Sequence, residues 1–355
     1  MDALAAILVW SRRKKRKDDM TPPNPSRIMQ ALTAYHVTGA TLAAIELDIF
    51  TAIASGYDTV EALAVHTQTS TKGMRILCDY MVVCEFLTKD GDRYALTPDS
   101  AMFLDRRSPA YFGGVASFLS GRNGMRDAFQ DITGAVRKGG TLLNNENGTM
   151  SRENPIWDEF ARSMKAMMGP AAAAIADVVK ASDGRPMKVL DVAAGHGIFG
   201  ITIAQQNPNA EVFAMDWKSV LEIAYENATQ AGVTERWHPI SGSAFEEDFG
   251  SDYDVILFTN FHHHFDTAKV ESLMRKAYEA IKPDGMVVTL EFVPNEDRIT
   301  PPEQATFSMI MLATTEEGDA YTFSEYEQTF RRAGFSRNEL IRPKGQPQSL
   351  IVSRK

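Results

Sequence analysis

Apolar positions along this chain follow two different periods, and the change from one to the other divides the sequence. From Ser26 to about Pro109 the spacing is helical, then briefly strand-like. Ile28, Leu32, Tyr35, Val37, Leu42, Ile45, Ile49 and Phe50 recur at helical intervals across residues 28–55. Thr59 is placed to cap a short helix beginning VEALA, and Thr69–Ser70–Thr71 to cap a longer one running through Phe86. TKDGDRYALT follows, with Asp90–Gly91 as a hairpin turn flanked by Leu87 and by Tyr94–Leu96. Three helices and a hairpin in this order predict a winged-helix unit over residues 26–110.

Residues 111–180 predict helices interrupted by one loose stretch, KGGTLLNNENGTM. Trp157, Phe160, Met164, Met167 and Met168 then share one helical stripe, whose ordinary meaning is core packing. From Lys188 onward, the strand-like runs KVLDVA, EVFAM, YDVILFT and MVVTLEFV alternate with helical stretches. That alternation predicts a parallel sheet with helices on both faces, and QSLIVSRK reads as an added terminal strand. The expected division is a disordered or tag-like extension (1–25), a winged-helix domain (26–110), a helical linker with pocket helices (111–180) and a ligand-binding α/β domain (181–355).

Composition alters this picture in a few places. With 44% hydrophobic and 23% charged residues over 355 positions, the chain is an ordinary globular one of about two domains. Its net charge of -9 opposes nucleic acid or an anionic membrane as partner. The helix after Ser70 carries Lys72 and Arg75, but also Asp79, Glu85 and an apolar middle, so it predicts a subunit interface rather than a DNA-reading helix. Cys78 and Cys84 lie in an apolar run and read as core residues of a cytoplasmic, reducing setting. At the N-terminus, MDALAAILVW is too short to span a bilayer, and SRRKKRK follows it, the reverse of a secretory signal.

The chemistry concentrates in VLDVAAGHGIFGITIA. Asp191 ends a strand; Gly195, Gly197 and Gly200 follow, and then an apolar helix. Small residues let the backbone approach a ligand, and the helix N-terminus offers amide donors. Asp216, at the end of the next strand, is spaced to accept the hydroxyls of a ribose. The glycine spacing also satisfies the dinucleotide pattern, but Asp191 stands where it would repel a pyrophosphate. Towards the ammonium and sulfonium of S-adenosylmethionine (SAM) the same carboxylate is an asset. SAM is therefore favoured over NAD.

With these motifs in order, the chain resembles the bacterial and plant small-molecule O-methyltransferases, class I SAM-dependent enzymes with an N-terminal winged-helix dimerisation domain. The resemblance covers roughly Ser26 to Lys355. It implies a Rossmann-like sheet of seven strands with helices on both faces, and a homodimer. It places Asp191, Gly195, Gly197, Asp216, Trp217, Ser243, Ala244, Phe245 and Asn260 at the cofactor, with GSAFEEDF on the adenine side. Phe160 and Met164 match a pocket helix; with Met168, Phe307 and Met311 they outline an apolar, adaptable acceptor pocket. The chain departs from the family at Ser243, where an acid is usual, at Thr259, where plant members carry a Lys, and at Ala320, where a second acid is found.

FTNFHHHFD matches the segment that carries the family's catalytic histidine. Aligning Phe265 with the following aromatic makes His263 the match, whereas aligning Asp266 with the closing acid makes it His262. His263 is favoured, because it sets Glu291 at the spacing of the acid that orients the base. Three adjacent histidines do not readily converge on one ion, so no metal site is expected. The function expected is methyl transfer to a hydroxyl of a small molecule, with a histidine taking the proton. The rivals are transfer to a thiol or thioether by proximity and desolvation, and a SAM-fold regulator that binds without turnover.

Overall fold

The computed structural model describes residues 23–120, 125–143 and 156–355. Residues 1–22 of the N-terminal extension and the stretch NNENGTM, both singled out above, lie outside these residues. The chain forms two compact units that divide between Arg122 and Asn123.

The N-terminal unit begins with α1 (Ser26–Glu46), α2 (Ile49–Ala54), α3 (Val60–His66) and α4 (Thr71–Val83). The apolar run 28–55 is thus two helices, broken where Asp48 takes a left-handed conformation (φ 54°). Ala62 N–H donates to the Thr59 hydroxyl at 3.3 Å and Gly73 N–H to that of Ser70 at 3.0 Å, so both helices start where a side chain satisfies a free amide. β1 (Leu87–Asp90) and β2 (Arg93–Leu96) pair antiparallel across the Asp90–Gly91 turn. Two short helices, α5 (Pro98–Phe103) and α6 (Gly114–Ser120), complete the unit. Phe50, Leu63, Met74, Cys78, Met81 and Tyr94 form its core. Ile28, Leu32 and Tyr35, on one side of α1, stay outside that core at 64%, 66% and 69% exposure. An apolar row of this kind marks an interaction surface.

The second unit opens with α7 (Met125–Ala128), α8 (Ile132–Lys138) and the long α9 (Ile156–Val178). Strands and helices then alternate as β3 (Met187–Val192), α10 (Ile198–Gln206), β4 (Ala210–Asp216), α11 (Lys218–Gln230), β5 (Trp237–Ser241), β6 (Tyr253–Thr259), α12 (Thr267–Ala280) and β7 (Ile281–Glu291). After α13 (Pro302–Ala305), α14 (Phe307–Thr314) and α15 (Phe323–Arg332), β8 (Arg337–Ile341) and β9 (Ser349–Arg354) finish the chain. The seven strands lie in the order β5-β4-β3-β6-β7-β9-β8, parallel from β5 to β7, with β9 antiparallel to both of its neighbours.

Alternation along the strands sorts the side chains onto two faces. Val189, Val212, Val255 and Val288 pack with residues of α9, α10 and α11, while Leu190, Ile256, Phe258 and Val287 pack with α12 and α15. The apolar strands seen in the sequence are the central ones. β5 and β8 were not legible as strands, because WHPIS carries a proline and RNELI is largely polar. Both are edge strands, where a missing N–H and solvated side chains are tolerated.

This topology gathers Asp191, Asp216, Thr259 and Glu291 at or next to the carboxyl ends of neighbouring parallel strands. The strand order reverses between β3 and β6, the place where such sheets open a ligand crevice. Gly200 lets α10 close against the sheet: a Cβ there would meet Val212 Cγ1 at 2.6 Å and Asp191 Oδ2 at 3.1 Å. Gly200→Ala is accordingly expected to cost about 1–3 kcal/mol of stability. An unchanged melting temperature in thermal denaturation would contradict this account of the glycine.

Candidate active site

The triple histidine occupies a 3₁₀ turn, His262–His264, directly after β6. With three residues per turn, consecutive side chains leave the axis in three directions, and the three imidazoles have three different surroundings. His262 turns into the core, its ring against Phe258, Tyr326 and Phe330, with neither nitrogen hydrogen-bonded among the described residues. Burial pushes its imidazole down to about 4, so the ring is neutral. The alternative that made His262 the catalytic residue therefore meets a ring enclosed in aromatic packing, a third of a turn away from the direction His263 takes.

His263 Nδ1 lies 2.6 Å from Glu291 Oε2, and both residues are almost fully buried. Glu291 Oε1 accepts the backbone N–H groups of Phe261 at 3.0 Å and His263 at 3.3 Å. A carboxylate anchored by two amides fixes the proton on Nδ1 and leaves a lone pair on Nε2. Phe307 packs edge-on against the His263 ring at 4.8 Å and stacks on Phe292 at 4.0 Å. His264 stands edge-on to Trp157 at 5.3 Å, and burial holds its imidazole well below the ordinary range.

On the β3–β4 side, Asp191 is completely buried. Gly200 N–H donates to its Oδ2 at 3.1 Å, and Oδ1 has no partner among the described residues. Desolvation pushes its carboxyl up to about 7, with Asp216 adding in the same direction. Asp216 accepts from Gly195 N–H at 2.8 Å and from Trp217 N–H at 2.7 Å, and desolvation pushes it up to about 6. Gly195 and Gly197 both need positive φ (57° and 72°), and a Cβ on Gly195 would stand 3.6 Å from Phe160. Phe160 thus roofs the glycine loop. Gly242 N–H donates to Asp216 O at 3.0 Å, which sets the Ser243–Ala244–Phe245 turn beside Asp216, with the Phe245 ring edge-on to Phe265.

Asn260 takes a left-handed conformation (φ 54°) after β6 and contacts Met168 Sδ at 3.9 Å. Gln348 donates to Asn260 Oδ1 at 2.6 Å from the start of β9. Nothing in the sequence pointed to Gln348, 88 residues away. Met164 packs against the core from α9, and Met311 is buried. His196 and Phe292 also escaped notice, the first as the variable position of a glycine motif and the second as one more strand residue.

A buried Asp191 Oδ1 without a donor among the described residues, a second buried carboxylate at Asp216 and glycines held at positive φ together fit a cationic, adenosine-bearing ligand. They do not fit a pyrophosphate. Residues 129–336 match the model of an O-methyltransferase domain, and residues 27–106 that of an O-methyltransferase dimerisation domain. The chain belongs to the O-methyltransferase family. Its cofactor is accordingly SAM. A candidate O-methyltransferase from Nostoc punctiforme is 49% identical and superposes with a TM-score of 0.89, over 94% of this chain and 100% of that one. The 3-hydroxy-5-methyl-1-naphthoate 3-O-methyltransferase of Streptomyces sahachiroi is 26% identical, over 91% of this chain and 93% of its own length. Human N-acetylserotonin methyltransferase, solved in complex with SAM, shares the fold at 20% identity and a TM-score of 0.82, over 95% and 99%. In this methyltransferase no helix among the described residues is long and apolar enough to cross a membrane.

The raised carboxyls have a consequence for stability. A folded-state pKa of about 7 at Asp191 lies above that of an unfolded aspartate, so between about pH 4 and 7 the unliganded folded protein holds the extra proton. This component of stability is present at low pH and is lost as pH rises through that window. Asp191→Asn removes it. Melting curves from pH 4.5 to 8 should show the variant gaining on the wild-type protein as pH rises, and a constant difference would show that Asp191 is not protonated in the unliganded protein.

Proposed function

We propose that this methyltransferase moves a methyl group from SAM to a hydroxyl on a small, flat aromatic molecule, with His263 as general base and Glu291 as the group that orients it. The observation that carries this reading is the buried His263–Glu291 pair, 2.6 Å apart with the carboxylate held by two backbone amides. A hydroxyl nucleophile must lose a proton as it attacks, and a neutral imidazole with a free Nε2 lone pair is suited to accept it. The carboxylate then steadies the imidazolium. Phe307, edge-on to the His263 ring and stacked on Phe292, supports an aromatic acceptor, and the Streptomyces relative is named for a hydroxynaphthoate. A thioether acceptor has no proton to give up and leaves the buried pair without a task.

SAM supplies an electrophilic methyl group when bound. Asp216 would hold the ribose hydroxyls, Asp191 would neutralise the cationic end, and Gly195 and Gly197 would let the backbone come close. Trp217, Ser243, Ala244, Phe245 and Asn260 complete the cofactor side; Phe160, Met164, Met168, Phe307 and Met311 are assigned to the acceptor pocket. The exposed row Ile28, Leu32 and Tyr35 would be covered by a second copy of the chain, as the dimerisation-domain match supports. The free Cys78 and Cys84 agree with work in the cytoplasm.

His263→Ala is expected to lower kcat by about 10²–10⁴ while SAM affinity stays nearly constant. Glu291→Gln should show a smaller loss, through a misoriented imidazole. His262→Ala should instead lower stability and spare kcat in the folded fraction. Full turnover of a hydroxyl acceptor by His263→Ala would remove the base from the mechanism. For the assembly, Leu32→Glu combined with Tyr35→Glu should yield a monomer in light scattering, and an unaltered dimer would place the interface elsewhere.

A further inference from the structure

His196, between the two glycines of the cofactor loop, has no task in the chemistry above, yet its placement is unusually well determined. The residue is 2% exposed. Ile198 N–H donates to its Nδ1 at 3.2 Å, so the ring proton must sit on Nε2. That N–H has no partner among the described residues. The ring lies over Phe160, nearly parallel at 6.0 Å, and leans on Phe199 at 5.5 Å. Asn227 donates to His196 O at 2.9 Å, and Lys165 donates to Asn227 Oδ1 at 2.7 Å, which pins the backbone of the loop to α11 and α9.

Burial, with Lys165 acting in the same direction, pushes the His196 imidazole down to about 3. The side chain is therefore a neutral, single-proton donor. It stands just before the first turn of α10, whose positive end favours an anion. Of the first-turn amides, that of Ile198 goes to His196, that of Gly200 to Asp191 and that of Ile201 to Gly197 O, so the donors nearest the loop are largely spoken for. The amino-acid end of SAM carries one anion, its carboxylate, alongside an ammonium that suits the unpartnered Asp191 Oδ1.

We propose that His196 Nε2–H is the side-chain donor that binds the methionine carboxylate of SAM, with the helix α10 N-terminus behind it and Asp191 on the opposite, cationic side of the same amino-acid group. Two carboxylates in the cradle, Asp191 and Asp216, would otherwise make the site hostile to any anion. The donor at His196 separates the two ends of the zwitterion and fixes the direction in which the cofactor enters. This inference does not depend on which acceptor is methylated or on which group removes its proton.

The test compares two ligands that differ only in the carboxylate, SAM and decarboxylated SAM, titrated calorimetrically into the full-length protein without acceptor. A hydrogen bond to a charged group predicts that His196→Ala weakens SAM on the order of tenfold to a hundredfold. Decarboxylated SAM should bind the variant as it binds the wild-type protein, which also reports that the loop is intact. His196→Asn, which keeps an N–H donor, should recover part of the loss for SAM alone. Equal losses for both ligands in the Ala and Asn variants would make the ring a shaping element of the loop and overturn the proposal. Unchanged SAM affinity in His196→Ala would overturn it as well.

Discussion

A carboxylate buried at the end of a central strand is costly unless every lone pair it turns inward meets a donor. Glu291, with no exposed surface, meets that condition at the end of β7 through the amides of Phe261 and His263 and the ring of His263. Those contacts hold the 3₁₀ turn after β6 to β7, and the turn in turn decides where three imidazoles point. Removing one partner of such a pair typically costs several kcal/mol, because the other is left buried and unmatched. The proposed base is thus positioned by the same interaction that stabilises the loop. A ring fixed in tautomer and direction needs no reorganisation at the moment of proton transfer.

The opposite side of the crevice is built on unmet demand. Asp191 keeps one oxygen without a donor, and Asp216 lies close enough to raise its pKa further. Two buried acids on adjacent parallel strands form a site whose electrostatic balance a cation restores. The contrast between a satisfied carboxylate at Glu291 and a dissatisfied one at Asp191 fits the proposed division between a group that orients and groups that bind. Both sets sit at the carboxyl edge of one sheet, at the ends of β3, β4, β6 and β7.

The methionines of α9 show how core and site share residues. Met168 is buried against the sheet, yet its sulfur reaches Asn260 at the end of β6. Phe160, one turn from Met164, contacts the glycine loop instead. One helix therefore packs on the sheet with one part of its surface and on the glycine loop with another.

Features set by local chemistry were readable from the sequence by itself. The caps at Thr59 and Ser70, the Asp90–Gly91 hairpin, the central strands and the strand–glycine loop–helix unit with Asp191 and Asp216 all depend on neighbours a few residues away or on a fixed strand spacing. The family resemblance rested on these same signals. Tertiary structure decided the rest. Sequence adjacency could not choose between His262 and His263, because a 3₁₀ turn sends them in different directions and only the packed surroundings tell a core ring from a paired one. The break at Asp48 replaced one expected helix with two. β5 and β8 escaped notice because edge strands need neither continuous apolar residues nor every N–H, and the sheet order that makes them edges is a long-range property. Gln348 and His196 gained their places through contacts made only once β9 lies beside β7 and α9 covers the glycine loop.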